Sequence, residues 1–322
     1  MGTTFEVKVV GSLMPEKKDL VREAIQVHLN DIDGKMSTYR KASEISRLNR
    51  SRKTTPQLLS RETITVLAEA LRISRITKGA FDITVGPLVN AWGFGPAPRP
   101  TTLPTAVEIE QLKLQSGWSK IELDSRASTI RKLEPILYLD LSAIAKGYAV
   151  DRLSKFLVKM NLNRHMVELG GEVKTRGRNA RGNPWKIAIE KPVSGGRAFQ
   201  RILPLENLAV ATSGDYRNFH QAEEGHLSHT IDPRTGRPVK HQLASVSVVD
   251  TSCMRADGYA TALMVSGENE GYRLAAQHDL AALFLVRTCK GFFRERETPA
   301  FQRLFPNKPT GTGQAPERER GS

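Results

Sequence analysis

Polar and apolar residues alternate through Phe5-Glu-Val-Lys-Val-Val10, which predicts a strand over 3–10. From Pro15 to Asn30 the pattern becomes helical, with Leu20, Ala24, Ile25 and Val27 as the expected apolar side. Asp31-Ile-Asp-Gly-Lys-Met-Ser-Thr-Tyr-Arg40 reads as a polar turn, and Ser43 to Asn49 as a short capped helix. Ile64, Leu67, Leu71 and Ser74 or Ile76 recur at helical spacing between Ser60 and Thr77, and Gly79 is the expected stop of that helix. A proline-rich loop reaches Pro104, and a short helix is expected from Ala106 to Gln115.

The middle of the chain predicts strands at 118–123, 128–133 and 136–140, then a helix from Ala143 to Met160. Strands follow at 165–173, 185–191, 199–205, 208–212, 227–231 and 243–250. Two helices, near 252–265 and 268–278, precede a strand at 280–287. Strand runs broken by hairpins, with helices returning between them, indicate an α+β fold rather than a doubly wound parallel sheet. Residues 307–322 are Pro, Gly, Thr, Glu and Arg without apolar periodicity, so this tail is expected to be disordered and the folded domain to span 1–306.

Composition narrows the function. A chain of 322 residues can bury one large core or two lobes. The formal charge of +14 invites nucleic acid, but the basic residues are dispersed and aromatic residues make up only 6%, so no stacking platform is expected. A solvated basic surface, an anionic ligand and an acidic protein partner remain open. The longest apolar run, Leu280 to Val286, is too short to span a membrane. The first residues form neither a signal peptide nor a myristoylation site. Cys253 and Cys289 form no CxxC pair, although a single disulfide between them is possible.

Four polar segments carry the candidate chemistry. Asp257 and Thr261 stand at i, i+4 near a helix start, so their oxygens share one face. A hard-oxygen pair of this kind suits Mg²⁺, although an aspartate there also suits a cap. Asp140-Leu-Ser-Ala-Ile-Ala-Lys-Gly-Tyr148 runs from a strand end into a helix, where free amides favour phosphate; Ala143 and Ala145 permit close approach, and Lys146 brings charge. Gly170-Gly171, between Glu168 and Glu172, permits unusual backbone angles. His229 stands beside the turn sequence Asp232-Pro-Arg-Thr-Gly236 and is a candidate base or, with Arg234 and Arg237, a phosphate contact. Ala211-Thr-Ser-Gly-Asp-Tyr-Arg217 adds a further polar turn. No Walker A motif, dinucleotide fingerprint, HExxH or nucleophile elbow is present, which disfavours a nicotinamide dehydrogenase or serine hydrolase.

In this order the segments resemble the ApbE family of FAD:protein FMN transferases. The resemblance is carried by Met1-Gly-Thr-Thr4, Met36-Ser-Thr-Tyr39, Ser43–Asn49, Gly79–Val89, Asp140–Asp151, Leu169-Gly-Gly-Glu172, Ser213-Gly-Asp-Tyr216, His229–Pro238, Ala256–Thr261 and Thr298-Pro-Ala-Phe301. Two positions depart from the usual pattern: Ser142-Ala143 after Asp140-Leu141, and Gly258-Tyr259 after Asp257. The resemblance implies FAD in a cleft between two α+β subdomains. It implies Mg²⁺ held by Asp257, Thr261 and the backbone oxygen of Ala143. Met36, Ala80, Phe81, Asp82, Asp140, Lys146 and Ile231 would contact FAD, and His229 and Asp257 would carry the catalysis. The implied reaction moves FMN onto a threonine of an acceptor protein, a membrane-associated electron-transfer protein, and releases AMP. Members of the family are typically exported, so a periplasmic setting is implied, with a lipid anchor as one form of the full-length precursor. A Mg²⁺-dependent FAD pyrophosphatase and a non-catalytic FAD-binding protein are the alternatives.

Overall fold

The computed structural model describes residues 2–95, 98, 100–192, 199–215, 219–222, 225–288 and 292–306. The chain opens on β1 (Phe5–Val9), then α1 (Pro15–Met36), α2 (Glu44–Arg50), β2 (Gln57–Leu58) and α3 (Arg61–Ile76). Next come α4 (Gly86–Ala91), α5 (Ala106–Leu114), β3 (Ile121–Asp124), β4 (Thr129–Lys132) and α6 (Ser142–Lys159). Strands then dominate: β5 (His165–Leu169), β6 (Glu172–Arg176), β7 (Trp185–Glu190), β8 (Phe199–Leu205), β9 (Ala209–Gly214), β10 (Phe219–Ala222) and β11 (Gly225–Ser228). The chain continues through β12 (Ile231–Asp232), β13 (Arg237–Pro238), β14 (Leu243–Asp250), α7 (Cys253–Gln277), β15 (Ala281–Arg287), β16 (Phe293–Glu297) and α8 (Pro299–Leu304).

The expected α+β class is what forms. Seven strands build one sheet in the order β1-β5-β6-β9-β14-β15-β16, with every neighbouring pair antiparallel. Both faces are covered, and β15 shows how. Ala282, Phe284 and Val286 enter the larger core, while Ala281, Leu283 and Leu285 enter a second one, as the two-residue period of a strand requires. Helices α6 and α7 pack on the first face, and α1 and α3 lie against them. The β7–β8 hairpin and α8 cover the second. The small sheet β2-β4-β3 joins the larger core through Leu59, Ile121 and Ile130. Among the described residues no helix is long and apolar enough to cross a membrane.

The structure departs from expectation in five places, one of which is the expected strand 227–231, broken at His229 and Thr230 between β11 and β12. Helix α1 continues through the expected turn to Met36, because Val21, Ile25, Leu29, Ile32 and Met36 extend one buried stripe. That stripe replaces most of the expected face: only Ile25 is shared, and Leu20 and Val27 are exposed. Residues 136–140 form no strand, and 118–120 form a 3₁₀ turn before β3. The expected strand 165–173 is two strands, folded at Gly170-Gly171. Those glycines have φ of 62° and 102°, so a two-residue loop with both central residues left-handed closes the β5–β6 hairpin. The helices expected around 252–278 meet at Gly267, whose φ of 74° and ψ of −177° kink α7. Cys253 is buried as a free thiol, whereas Cys289 and the 307–322 tail lie outside the described residues.

Candidate active site

The starts of α6 and α7 set the geometry. A Cβ on Gly147 would lie 2.4 Å from the Cys253 carbonyl oxygen and 2.8 Å from Asp257 Cβ, so only glycine lets the two helices approach this closely. At that contact the Gly147 amide donates to Asp257 Oδ2 at 2.9 Å. Asp151, one turn further along α6, caps α7 from outside: its carboxylate accepts from Ser252 Oγ at 2.7 Å and from the Cys253 and Met254 amides at 3.1 Å each. Lys174 Nζ pairs with the same carboxylate at 2.5 Å. Asp257 is therefore aimed by another helix as well as by its own.

Above this contact lies a cleft of about 800 Å³, bounded by α6, α7, the β5–β6 turn, β7, the 80–85 segment and the 229–233 segment. Of the residues expected at the site, Ala80, Phe81, Asp82, Asp140, Ala143, Lys146, His229, Ile231, Asp257 and Thr261 line it. Met36 does not; it is buried in the main core at the end of α1. Asp140 Oδ1 accepts from the Ser142 amide at 2.9 Å and so orders the first turn of α6. Both Asp82 oxygens are engaged, Oδ1 by the Thr84 amide and hydroxyl at 2.8 and 2.7 Å and Oδ2 by the Trp118 amide at 3.0 Å. Thr261 Oγ1 lies 3.3 Å from Ser213 Oγ of β9. His229 is half-buried and meets the Phe94 ring edge-on, with centroids 6.4 Å apart.

The turn after His229 is anchored on both sides. Trp92 Nε1 donates to the Gly236 carbonyl at 2.8 Å, tying α4 to it, while Ile231 packs with Leu88, Trp92 and Ile109. Arg234 pairs with Asp232 at 3.0 Å and with Glu270 of α7 at 2.7 Å. Neither Arg234 nor Arg237 lines the cleft, whereas Pro233 of the same turn does.

Electrostatics single out three groups. Lys146 Nζ pairs with Glu172 Oε1 across the cleft floor. Burial pushes the Glu172 carboxyl up to about 8, with the Asp257 charge adding to it and Lys146 opposing. Burial likewise raises Asp257, against the pull of Lys146 and the Gly147 amide. For Lys146, burial alone would lower the pKa, but Asp257 and Glu172 reverse this and hold it above the ordinary lysine value. Glu172 Oε2 is buried without a hydrogen-bond partner among the described residues. The described lining carries Glu6, Asp82, Asp140, Glu168, Glu172, Glu190 and Asp257 but a single lysine, Lys146. The cleft is thus acidic inside a basic protein.

That imbalance bears on a metal. No group of three or more His, Cys, Asp or Glu side chains gathers in metal-binding geometry among the described residues. The cleft lining does offer one carboxylate (Asp257), one hydroxyl a turn further along α7 (Thr261) and the Ala143 backbone, all hard oxygens. That set fits a cation that takes few protein oxygens and completes its shell with water and phosphate. Sequence reasoning missed Asp151 and the Lys146–Glu172 pair, which join elements far apart in the chain. Thr3, Thr4 and Thr212, from segments already singled out without a role, also line the cleft, and so do the β7 residues Ile187 to Glu190, which no sequence pattern marked as part of a site.

Comparisons with known proteins agree with this architecture. The chain is 42% identical over 314 residues to the FAD:protein FMN transferase of Haemophilus influenzae, spanning 96% of this chain and 90% of that protein. It is 43% identical over 292 residues to the Vibrio cholerae protein of the same name, spanning 91% and 87%. The solved flavin transferase ApbE from Vibrio cholerae superposes with a TM-score of 0.86 at 41% identity, covering 94% of this chain and 96% of that one. The apo flavinyl transferase ApbE of Pseudomonas stutzeri gives 0.87 at 37% identity, covering 96% and 95%. The ApbE family model matches residues 1–284, and the chain belongs to the ApbE family.

Proposed function

We propose that this chain is a FAD:protein FMN transferase that uses Mg²⁺ and places FMN on a threonine hydroxyl of an acceptor protein. The observation that carries the reading is the convergence of Asp140, Lys146, His229, Asp257 and Thr261 on one cleft large enough for a dinucleotide. The acceptor hydroxyl attacks the phosphorus of the FMN half, the bridging P–O bond breaks, and AMP leaves with the bridging oxygen. His229 takes the hydroxyl proton. Lys146 and the first-turn amides of α6 face the pyrophosphate charge. Asp257, Thr261 and the Ala143 carbonyl would hold Mg²⁺, which would supply Lewis-acid stabilisation of charge on phosphate. Cation dependence has its own support: even with Glu172 protonated, the acidic side chains of the lining outnumber its one lysine and would repel a pyrophosphate unless a cation intervened.

The test is incubation of the protein with FAD, Mg²⁺ and an extract of cells that lack this activity, followed by gel electrophoresis and flavin fluorescence. A fluorescent protein band that survives denaturation, with flavin mapped to threonine, supports transfer. Free FMN and AMP without a labelled band would make the protein a pyrophosphatase, and intact FAD would make it a binding protein.

A further inference from the structure

Strand β1 ends the seven-stranded sheet, and among the described residues no strand pairs with its outer side. The direction of its backbone groups follows from the ladder. Register pairs Phe5 with Leu169 and runs to Val9 with His165. At one end the Gly170 amide donates to the Thr4 carbonyl at 3.0 Å; at the other the Val10 amide donates to the Arg164 carbonyl at 2.8 Å. Hydrogen-bonded and non-bonded pairs alternate in an antiparallel ladder, so Thr4, Glu6, Lys8 and Val10 spend their backbone groups on β5. Phe5, Val7 and Val9 turn theirs outward. Three residues thus present an open edge of donors and acceptors.

That edge runs into the cleft. Thr3, Thr4 and Glu6 line the cleft, and Phe5 stands 40% exposed beside them. The proposed reaction requires a protein hydroxyl to reach a phosphate inside a cleft of about 800 Å³ that also holds FAD. A folded domain cannot enter such a space, but an extended segment can. We propose that the outer edge of β1 is the docking strand for the acceptor protein, which adds an extended segment to it by main-chain pairing and so delivers its hydroxyl-bearing residue past Thr3 and Thr4 into the cleft. This rests on the transferase reading. Main-chain pairing supplies affinity with little demand on sequence, so one edge can serve several acceptors. The exposed Phe5 ring gives the segment one apolar contact at the rim.

The geometry dictates the test. Val7 is a position where proline removes an outward amide without removing a bond to β5. The probe is a short synthetic peptide spanning the flavin-bearing threonine identified by transfer to the extract. Val7→Pro should bind FAD as the wild type does, and its transfer to the peptide should fall by about tenfold or more, the factor that losing one or two main-chain hydrogen bonds corresponds to. Residue-resolved hydrogen exchange of the wild type gives an independent reading that needs no variant. With FAD and peptide present, the amides of Phe5, Val7 and Val9 should gain protection, while those of Glu6 and Lys8 are protected beforehand. Wild-type transfer by a folded Val7→Pro, or peptide-induced protection confined to other segments, would overturn the docking strand. Protection of Phe5, Val7 and Val9 that depends on protein concentration and not on peptide would assign the edge to a second copy instead. Failure of the wild type to label any acceptor would sink the transferase reading itself, a separate result.

Discussion

Asp257 and Glu172 are both buried carboxylates, and their neighbourhoods predict opposite consequences of substitution. Asp257→Asn keeps an oxygen for the Gly147 amide but removes the charge a divalent cation needs. Transfer should be lost at ordinary Mg²⁺ while circular dichroism stays unchanged; normal turnover would remove the metal site. For Glu172 the readout is stability. Below about 4.5 both folded and unfolded chains carry its proton, and above about 8 neither does. Between these values the unfolded chain has released a proton that the folded chain retains, so this group's contribution to stability falls as pH rises through that window. Glu172→Gln should flatten that slope and raise Tm at pH 7, since the amide spares the folded chain the cost of keeping a proton that the unfolded chain has released. A lower Tm would mean that the pair with Lys146 is a structural brace. His229→Ala, by contrast, should slow transfer by roughly 10²–10⁴-fold with FAD affinity retained. A loss of affinity alone, measured on the same variant, would end its assignment as the base.

At the scale of elements, the packing of α6 on α7 decides whether the site exists. Gly147→Ala places a methyl where the Cys253 carbonyl and Asp257 Cβ already stand. The helices must separate, at a cost of about 1–3 kcal/mol, and Asp257 loses its aim. Thermal unfolding should show the destabilisation, and calorimetric Mg²⁺ titration in the presence of FAD should show weakened binding. Unchanged binding would mean that the approach at Gly147 is incidental. The same elements show what the sequence disclosed. The helical spacing of Ile64, Leu67, Leu71 and Ser74 placed α3 correctly, and β14 spans 243–250 as expected, because each is a strong local pattern. The end of α1 was obscured because Asp31-Ile-Asp-Gly has turn composition, and tertiary burial of Ile32 and Met36 overrides it. Lys132 was illegible for another reason. Fully buried, its ammonium donates to the Ser51, Pro135 and Leu137 carbonyls at 2.7, 3.1 and 3.2 Å. That clamp, with Asn49 bonding both backbone groups of Leu139 at 2.8 Å, holds in place the non-strand segment leading to Asp140. No periodicity announces a lysine used in this way.

Across the whole molecule, the distribution of charge matters more than its total. A net charge of +14 favours an anionic ligand, yet the excess lies outside the cleft, whose described lining holds seven acidic side chains and one lysine. A basic exterior raises the local concentration of FAD at long range, whereas the interior repels its pyrophosphate at short range. On the proposed function, a divalent cation would reconcile the two by neutralising the carboxylate field where the phosphates must lie. Two flavins separate these contributions. FAD affinity, followed by quenching of flavin fluorescence, should fall more than about tenfold when Mg²⁺ is replaced by a chelator, as expected if a cation offsets the repulsion between phosphate and carboxylate. Riboflavin has no phosphate, so its weaker binding should be indifferent to the cation. Rising monovalent salt should slow FAD association in the presence of Mg²⁺, because it screens the exterior attraction. Equal FAD affinity with and without a divalent cation would show that the acidic lining is neutralised by protons or by the fold itself, and the role given to Asp257 and Thr261 would fall with it.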